Sequence, residues 1–181
     1  MPYSVPVWEK SVIGIITPFN VPLNLALHKF GPAVAGGNAV VHKPSEQTPL
    51  SAFLLARIVQ EAGAPAGTYN VVTGLGEIVG KALVECPDID MITFTGSVEV
   101  GREIRARAGL KKVTLELGGN SAVIVEPDAD LDAAVARVVQ GGYGYSGQIC
   151  ISVQRVYVHE SVSRVLREKM VDAVDSWRIG P

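Results

Sequence analysis

Through Leu117 the chain alternates short β-branched runs with amphipathic stretches, and no other feature restricts its fold as strongly. Residues 12–16, 39–42, 69–72, 91–95 and 113–117 read as strands. The turn Thr17-Pro18-Phe19-Asn20-Val21-Pro22 feeds a helix from about Leu23, which Gly31-Pro32 is expected to interrupt. A second helix is predicted over 50–62, where Phe53, Leu54, Ile58 and Val59 recur at helical spacing before Gly63 stops it. Further helices are expected from Gly76 to about Glu85 and from Gly96-Ser97 to about Ala108. Strands that read as continuous apolar runs need cover on both faces, and helical crossovers supply it. The expected fold is therefore α/β, a Rossmann-like, mostly parallel sheet flanked by helices with right-handed crossovers.

A sheet of this kind takes ligands in the crevice at the carboxyl ends of its strands, where helix N-termini point free N–H groups at a phosphate. Two turns qualify. Phe94-Thr95-Gly96-Ser97, with Gly101 beyond it, ends a strand, permits close approach and opens a helix at once. Gly74-Leu75-Gly76-Glu77-Ile78-Val79-Gly80 is one residue too long for the usual dinucleotide fingerprint, so its glycines serve either a ligand or the packing of a helix on a strand.

Beyond Gly119 the texture changes. Residues 122–125 read as a strand, the carboxylates between Asp128 and Asp132 sit where a helix dipole favours them, and a helix is expected over about 131–139. A small-residue loop from Gly141 to Ser146 follows, then a strand over 153–158 and a final amphipathic helix from Ser161 to Trp177. A boundary near Gly118-Gly119 gives two domains: 1–118, built for a dinucleotide, and 119–181, the start of a second α/β domain. Trp8 and Trp177 belong to no motif.

Cys150 closes Gly147-Gln148-Ile149-Cys150 beside a glycine-rich, aromatic-flanked loop. A nucleophilic thiolate must be within reach of a carbonyl, which this loop favours, yet a free cysteine is often an inert small hydrophobe and the local sequence allows both. Cys86, before Pro87 at a helix end, is expected to pack. His28, His42 and His159 lack metal-ligand spacing, so no metal is expected and none of the three receives a catalytic role. A net charge of -2 with 19% charged and 48% hydrophobic residues argues against nucleic-acid and membrane partners. Two distant cysteines and the lack of anything like a signal peptide predict a reducing, cytoplasmic setting.

Five separated motifs carry more. Thr17-Pro18-Phe19-Asn20, Lys43-Pro44-Ser45-Glu46-Gln47-Thr48-Pro49, Phe94-Thr95-Gly96-Ser97, Leu115-Glu116-Leu117-Gly118-Gly119 and Gly147-Gln148-Ile149-Cys150 follow one another in order. In that order and approximate spacing the chain closely resembles the NAD(P)-dependent aldehyde dehydrogenases. The resemblance implies that Cys150 attacks an aldehyde, that the Asn20 amide and the Cys150 backbone N–H hold the oxyanion, and that Glu116 activates the hydrolytic water. Apart from the family, Glu116 reads rather as a structural partner for a lysine such as Lys111 or Lys112.

For the cofactor, the resemblance implies that Lys43 and Glu46 bind the adenosine ribose, Ser97 the pyrophosphate, and Gly76 and Gly80 the neighbourhood of the adenine. Ile16, Thr17, Phe19, Ser45, Phe94, Gly96 and Leu117 complete that set. A carboxylate at Glu46 favours NAD, since it accepts from a free 2′-hydroxyl and repels a 2′-phosphate, while Lys43 nearby leaves NADP possible. Ile149 and Ile151 beside the thiol predict small or medium aliphatic aldehydes. The family's N-terminal region, its second carboxylate motif and its late segment have no counterpart in this sequence. A piece of a larger, homo-oligomeric enzyme is therefore expected. Two functions follow: oxidation of a small aldehyde to a carboxylic acid, or dinucleotide binding without catalysis.

Overall fold

In the computed structural model, which describes residues 11–178 and 180 and so leaves Trp8 outside the description, the chain divides into two units between Leu117 and Gly118. The first unit runs β1 (Val12–Ile16), α1 (Pro22–Ala35), β2 (Ala39–Lys43), α2 (Leu50–Glu61) and β3 (Tyr69–Val71). A π-helical turn, Gly76–Gly80, then leads into α3 (Lys81–Glu85), β4 (Met91–Gly96), α4 (Val98–Arg107) and β5 (Lys112–Leu117). The strands lie in the order β3-β2-β1-β4-β5 and every pairing is parallel. This is the expected Rossmann-like α/β sheet, with chain direction reversing its march beside β1.

Alternation along the central strands serves two cores. Ile16, Ile92 and Phe94 pack under α3 and α4, with Leu83, Val84 and Ile104, whereas Ile13, Ile15 and Val40 face α1. Ile15 and Ile92 are wholly buried, each stabilising the fold by roughly 1.5–3 kcal/mol relative to exposure. β5 departs from the expected continuous run. It is an edge strand whose residues alternate between exposed and half-buried, so Lys112, Thr114 and Glu116 face outward.

Three expectations for the helices change. Gly31-Pro32 does not interrupt α1, which runs through Pro32. Both residues are exposed, and the buried positions Ala26, Lys29 and Ala33 stay in helical phase across them, so packing outweighs the ~3 kcal/mol that an interior proline costs. On α2 the buried residues are Ala52 and Leu55, while Phe53, Leu54 and Ile58 are more than 40% exposed. Small Ala52 lets the helix lie close to the sheet, and the larger apolar side chains turn out. The helix expected from Gly76 begins instead as the π turn and becomes α-helical at Lys81.

The second unit holds β6 (Ser121–Val125), α5 (Leu131–Tyr143), β7 (Val153–Val158) and α6 (Glu160–Asp175). β6 and β7 pair in parallel, with an irregularity between Ser121 and Ala122. Val125, Val135, Val139 and Leu166 form its core. Asp130 caps α5, its carboxylate accepting from the Asp132 and Ala133 amides at 3.0 and 3.1 Å. Gly141, Gly142 and Tyr143 continue α5 rather than forming a loop, and the glycine at 141 lets the helix approach Val153, where a Cβ would come within 2.8 Å of that side chain.

Candidate active site

The carboxyl ends of β1, β2 and β4 align Ile16 with Lys43 and Ile16 with Phe94, and β4 aligns Gly96 with Leu117 of β5. Residues paired in register share a face, so Ile16, Lys43 and Phe94 make one row on the side of α3 and α4. A cleft of about 410 Å³ opens on that side, lined by Ile16, Gly76, Gly80, Val84, Val100 and Ile104 among others. A Cβ at Gly76 or Gly80 would meet nothing within 4 Å, so packing does not demand glycine at either position. At Gly101 it does: a Cβ would sit 2.7 Å from Leu117, and its absence lets α4 press on the end of β5.

Ser97 caps α4, its hydroxyl accepting from the Val100 amide at 3.3 Å, so the helix N-terminus lies directly after β4. Lys43 is buried and its ammonium meets the Glu46 carboxylate at 2.9 Å. Glu46 is half exposed. Its own backbone N–H and the Lys43 ammonium hold its carboxyl below the usual carboxylate range, so it is ionised at neutral pH. Ser45 accepts from the Gln47 amide at 3.3 Å, closing the turn between the strand and α2. Phe19 is 42% exposed and Asn20 half-buried, both in the bend between β1 and α1.

The opposite face of the same strand ends is polar. Thr17, His42, Thr93 and Thr95 are buried there, and Glu116 pairs in register with Thr95. Lys29, inside the apolar stripe of α1, donates to the Thr93 hydroxyl at 3.2 Å. Burial pulls its ammonium below the ordinary lysine range, and the charge of Glu116 offsets part of that fall. Glu116 is thus felt by Lys29, and among the described residues it forms no ion pair with Lys111 or Lys112.

In the second unit Cys150 is exposed, on a turn closed by the Ser152 amide donating to the Ile149 carbonyl at 3.0 Å. The Ser152 hydroxyl donates to the Gly142 carbonyl at 3.3 Å, tying this turn to the end of α5. Tyr145 and Ser146 take left-handed φ values of 58° and 56°, followed by Gly147 at 71°. Two non-glycine residues in that region cost on the order of 1 kcal/mol each or more, the kind of strain that clusters at working sites. Cys86, by contrast, is half-buried against the core beneath α3 and α4.

Residues 5–181 match the family model described as Aldehyde dehydrogenase family. The chain belongs to the aldehyde dehydrogenase family. It is 50% identical over 169 residues to a 3-sulfolactaldehyde dehydrogenase of Priestia megaterium, covering 93% of this chain and 35% of that protein. It is 45% identical to a lactaldehyde dehydrogenase of Methanocaldococcus jannaschii, over 93% of this chain and 37% of the relative. Among solved structures, an NAD-dependent aldehyde dehydrogenase from Sinorhizobium meliloti superposes with a TM-score of 0.92 at 44% identity, over 94% of this chain and 34% of that one. The GapN glyceraldehyde-3-phosphate dehydrogenase of M. jannaschii, solved with NADP, gives a TM-score of 0.90 at 44% identity, over 94% and 38%. The chain therefore spans about a third of the length of the aldehyde dehydrogenases it matches.

The buried polar face of this aldehyde dehydrogenase chain leaves little local signal in the sequence. Lys29 was detectable as a lysine in register with Ala26 and Ala33 on an apolar helix stripe. The roles of His42 and Tyr69 were not, because their contact spans 27 residues and depends on the pairing of β2 with β3. No helix among the described residues is long and apolar enough to cross a membrane.

Proposed function

We propose that this chain carries the cofactor cleft and nucleophile of an enzyme that oxidises a short aldehyde to a carboxylic acid with NAD, or less readily NADP. The observation that carries the reading is the cleft at Gly76 and Gly80: both glycines leave open space that no packing requires, beside the ends of β1 and β4. A dinucleotide fits these residues. Ionised Glu46 accepts from ribose hydroxyls with Lys43 beside it, the α4 N-terminus at Ser97 receives the pyrophosphate, and Ile16 supplies an apolar wall backed by Phe94 and Leu117 in the core. Thr17, Phe19, Ser45 and Gly96 border the same strand ends. Residues 1–118 are then the dinucleotide domain and 119–181 the start of the catalytic domain.

The exposed Cys150 thiolate attacks the aldehyde carbon, and the oxygen, now negative, takes hydrogen bonds from the Asn20 amide and the Cys150 backbone N–H. NAD, when bound, supplies the acceptor for the hydride that leaves that carbon. The carbon is then a thioester on Cys150. Glu116 takes a proton from water, which adds to the thioester and expels the thiolate, giving the acid and restoring Cys150. Ile149 and Ile151 flank the thiol, and Ile151 is 72% exposed, an apolar surface suited to a short carbon chain. The sulfolactaldehyde and lactaldehyde named for the relatives are short as well.

Mixing the purified chain with NAD and a panel of short, long and aromatic aldehydes, while following absorbance of the reduced cofactor, tests this. Turnover of short aldehydes is expected. Binding of NAD with no reduction for any aldehyde would leave a dinucleotide-binding module without catalysis. In an active preparation, Glu116→Gln is expected to give one burst of reduced cofactor and then stall, because hydride transfer precedes hydrolysis. An unchanged steady rate would remove Glu116 from the mechanism.

A further inference from the structure

Thr17 is the last anchored residue before the turn that carries Asn20. Its backbone N–H donates to the Lys43 carbonyl at 3.3 Å, and its buried hydroxyl lies 2.7 Å from His42 Nε2. His42 Nδ1 meets the Tyr69 hydroxyl, and the Tyr69 ring sits edge-on to Phe30 of α1 with centroids 4.9 Å apart. A hydrogen-bonded chain thus runs from Tyr69 at the start of β3, through His42 near the end of β2, to Thr17 just after β1.

His42 is fully buried, and that burial, with the charges of Lys43 and Lys29, keeps its imidazole neutral. A neutral imidazole offers one N–H and one lone pair, so one hydroxyl must give a hydrogen bond and the other receive one. Each partner fixes the tautomer presented to the other. Packing alone does not require histidine at this position: Val40 and Ile15 on the same face fill their sites without polar partners.

Beyond Thr17, Pro18 restricts the preceding residue to extended geometry, and only residues 18–21 separate it from Pro22, where α1 starts. That far end is fixed as well, since Lys29 binds α1 to β4 through Thr93. The turn that carries Asn20 is thus held at both ends, and one of those anchors is made by His42.

We propose that His42 is a positioning residue: with Tyr69 and Thr17 it fixes the start of the turn and so aims the Asn20 amide. The inference rests on the oxyanion role given above to Asn20. His42 itself touches no reacting atom.

The test uses the full chain as wild type, His42→Leu, His42→Gln and Tyr69→Phe. Its readouts are the NMR signals of the Asn20 side-chain amide, NAD affinity by calorimetry, and kcat and KM. His42→Leu is expected to shift and broaden the Asn20 signals and to lower kcat by ~10- to 100-fold, with NAD affinity and KM for NAD held within about twofold. Tyr69→Phe should act in the same direction but less, and His42→Gln, whose carboxamide both gives and receives, should recover part of the loss. Unmoved Asn20 signals in a folded His42→Leu chain overturn the proposal. So does a loss confined to NAD affinity, which would place the effect on Lys43 instead. If His42→Leu does not fold, Tyr69→Phe decides alone, and unmoved Asn20 signals again overturn it. A wild-type chain without turnover counts against the functional reading, and the Asn20 signals still decide the positioning role.

Discussion

Gly80 separates what the fold needs from what a ligand needs. Its backbone is helical, at φ −61° and ψ −45°, and a Cβ there meets nothing within 4 Å. Gly80→Ala is therefore expected to stabilise the chain by about 0.5–1 kcal/mol, the helix preference of alanine over glycine. The same methyl group enters the cleft, so NAD affinity should fall. The two effects have opposite signs. Thermal unfolding and titration calorimetry on one preparation check both, and undiminished NAD affinity would take the dinucleotide out of this cleft. Glu46 offers a second residue-scale test. Because its backbone N–H and Lys43 keep the carboxyl ionised, it repels a 2′-phosphate throughout the neutral range. Calorimetry should find NAD bound more tightly than NADP, and Glu46→Gln should narrow the gap by removing the like charge. Equal or reversed preference in the unaltered chain would sink the assignment.

Strands were legible because β1, β2 and β4 are short apolar runs bounded by turns, and that signal is local. The inward face of α2 was not, since Ala52 and Leu55 pack while larger residues on the other side dominate the hydrophobic pattern. Motif order marked the strand ends that line the cleft. It could not reveal the polar layer behind them, where Lys29 reaches Thr93 across 64 residues of sequence. That layer makes stability depend on acidity. His42 titrates near 6.5 when unfolded and is lowered to about 4 in the fold, first by burial and then by Lys43 and Lys29. Between those values the unfolded chain takes up a proton and the folded chain does not. The contribution of His42 is thus complete above about pH 6.5 and falls as pH drops toward 4, by up to about 3 kcal/mol. Urea unfolding at pH 7 and pH 4.5, compared with His42→Gln, isolates it from the carboxylates. The variant should show the flatter dependence, and parallel curves would contradict the burial of a neutral imidazole.

At the scale of the whole molecule, the two cysteines report on different units. Cys86 belongs to the first, packed beside Ile92, Leu83 and their neighbours, while Cys150 lies on the exposed turn of the second. Cys86 is half-buried against its core, so its labelling should be slow in the native chain and quicken as denaturant opens that core. Cys150 needs no opening. Its labelling by iodoacetamide near neutral pH should be fast in the native chain and nearly independent of denaturant below the transition, ahead of Cys86 by roughly tenfold or more. Peptide mapping after brief treatment distinguishes the sites. If Cys150 stays unlabelled while circular dichroism shows the chain folded, its turn does not present a thiol to solvent, and the nucleophile must be given up along with the oxidation built on it. If both cysteines label together and only with denaturant, the turn opens with a core, and the left-handed pair Tyr145 and Ser146 holds a packed structure rather than a reactive one.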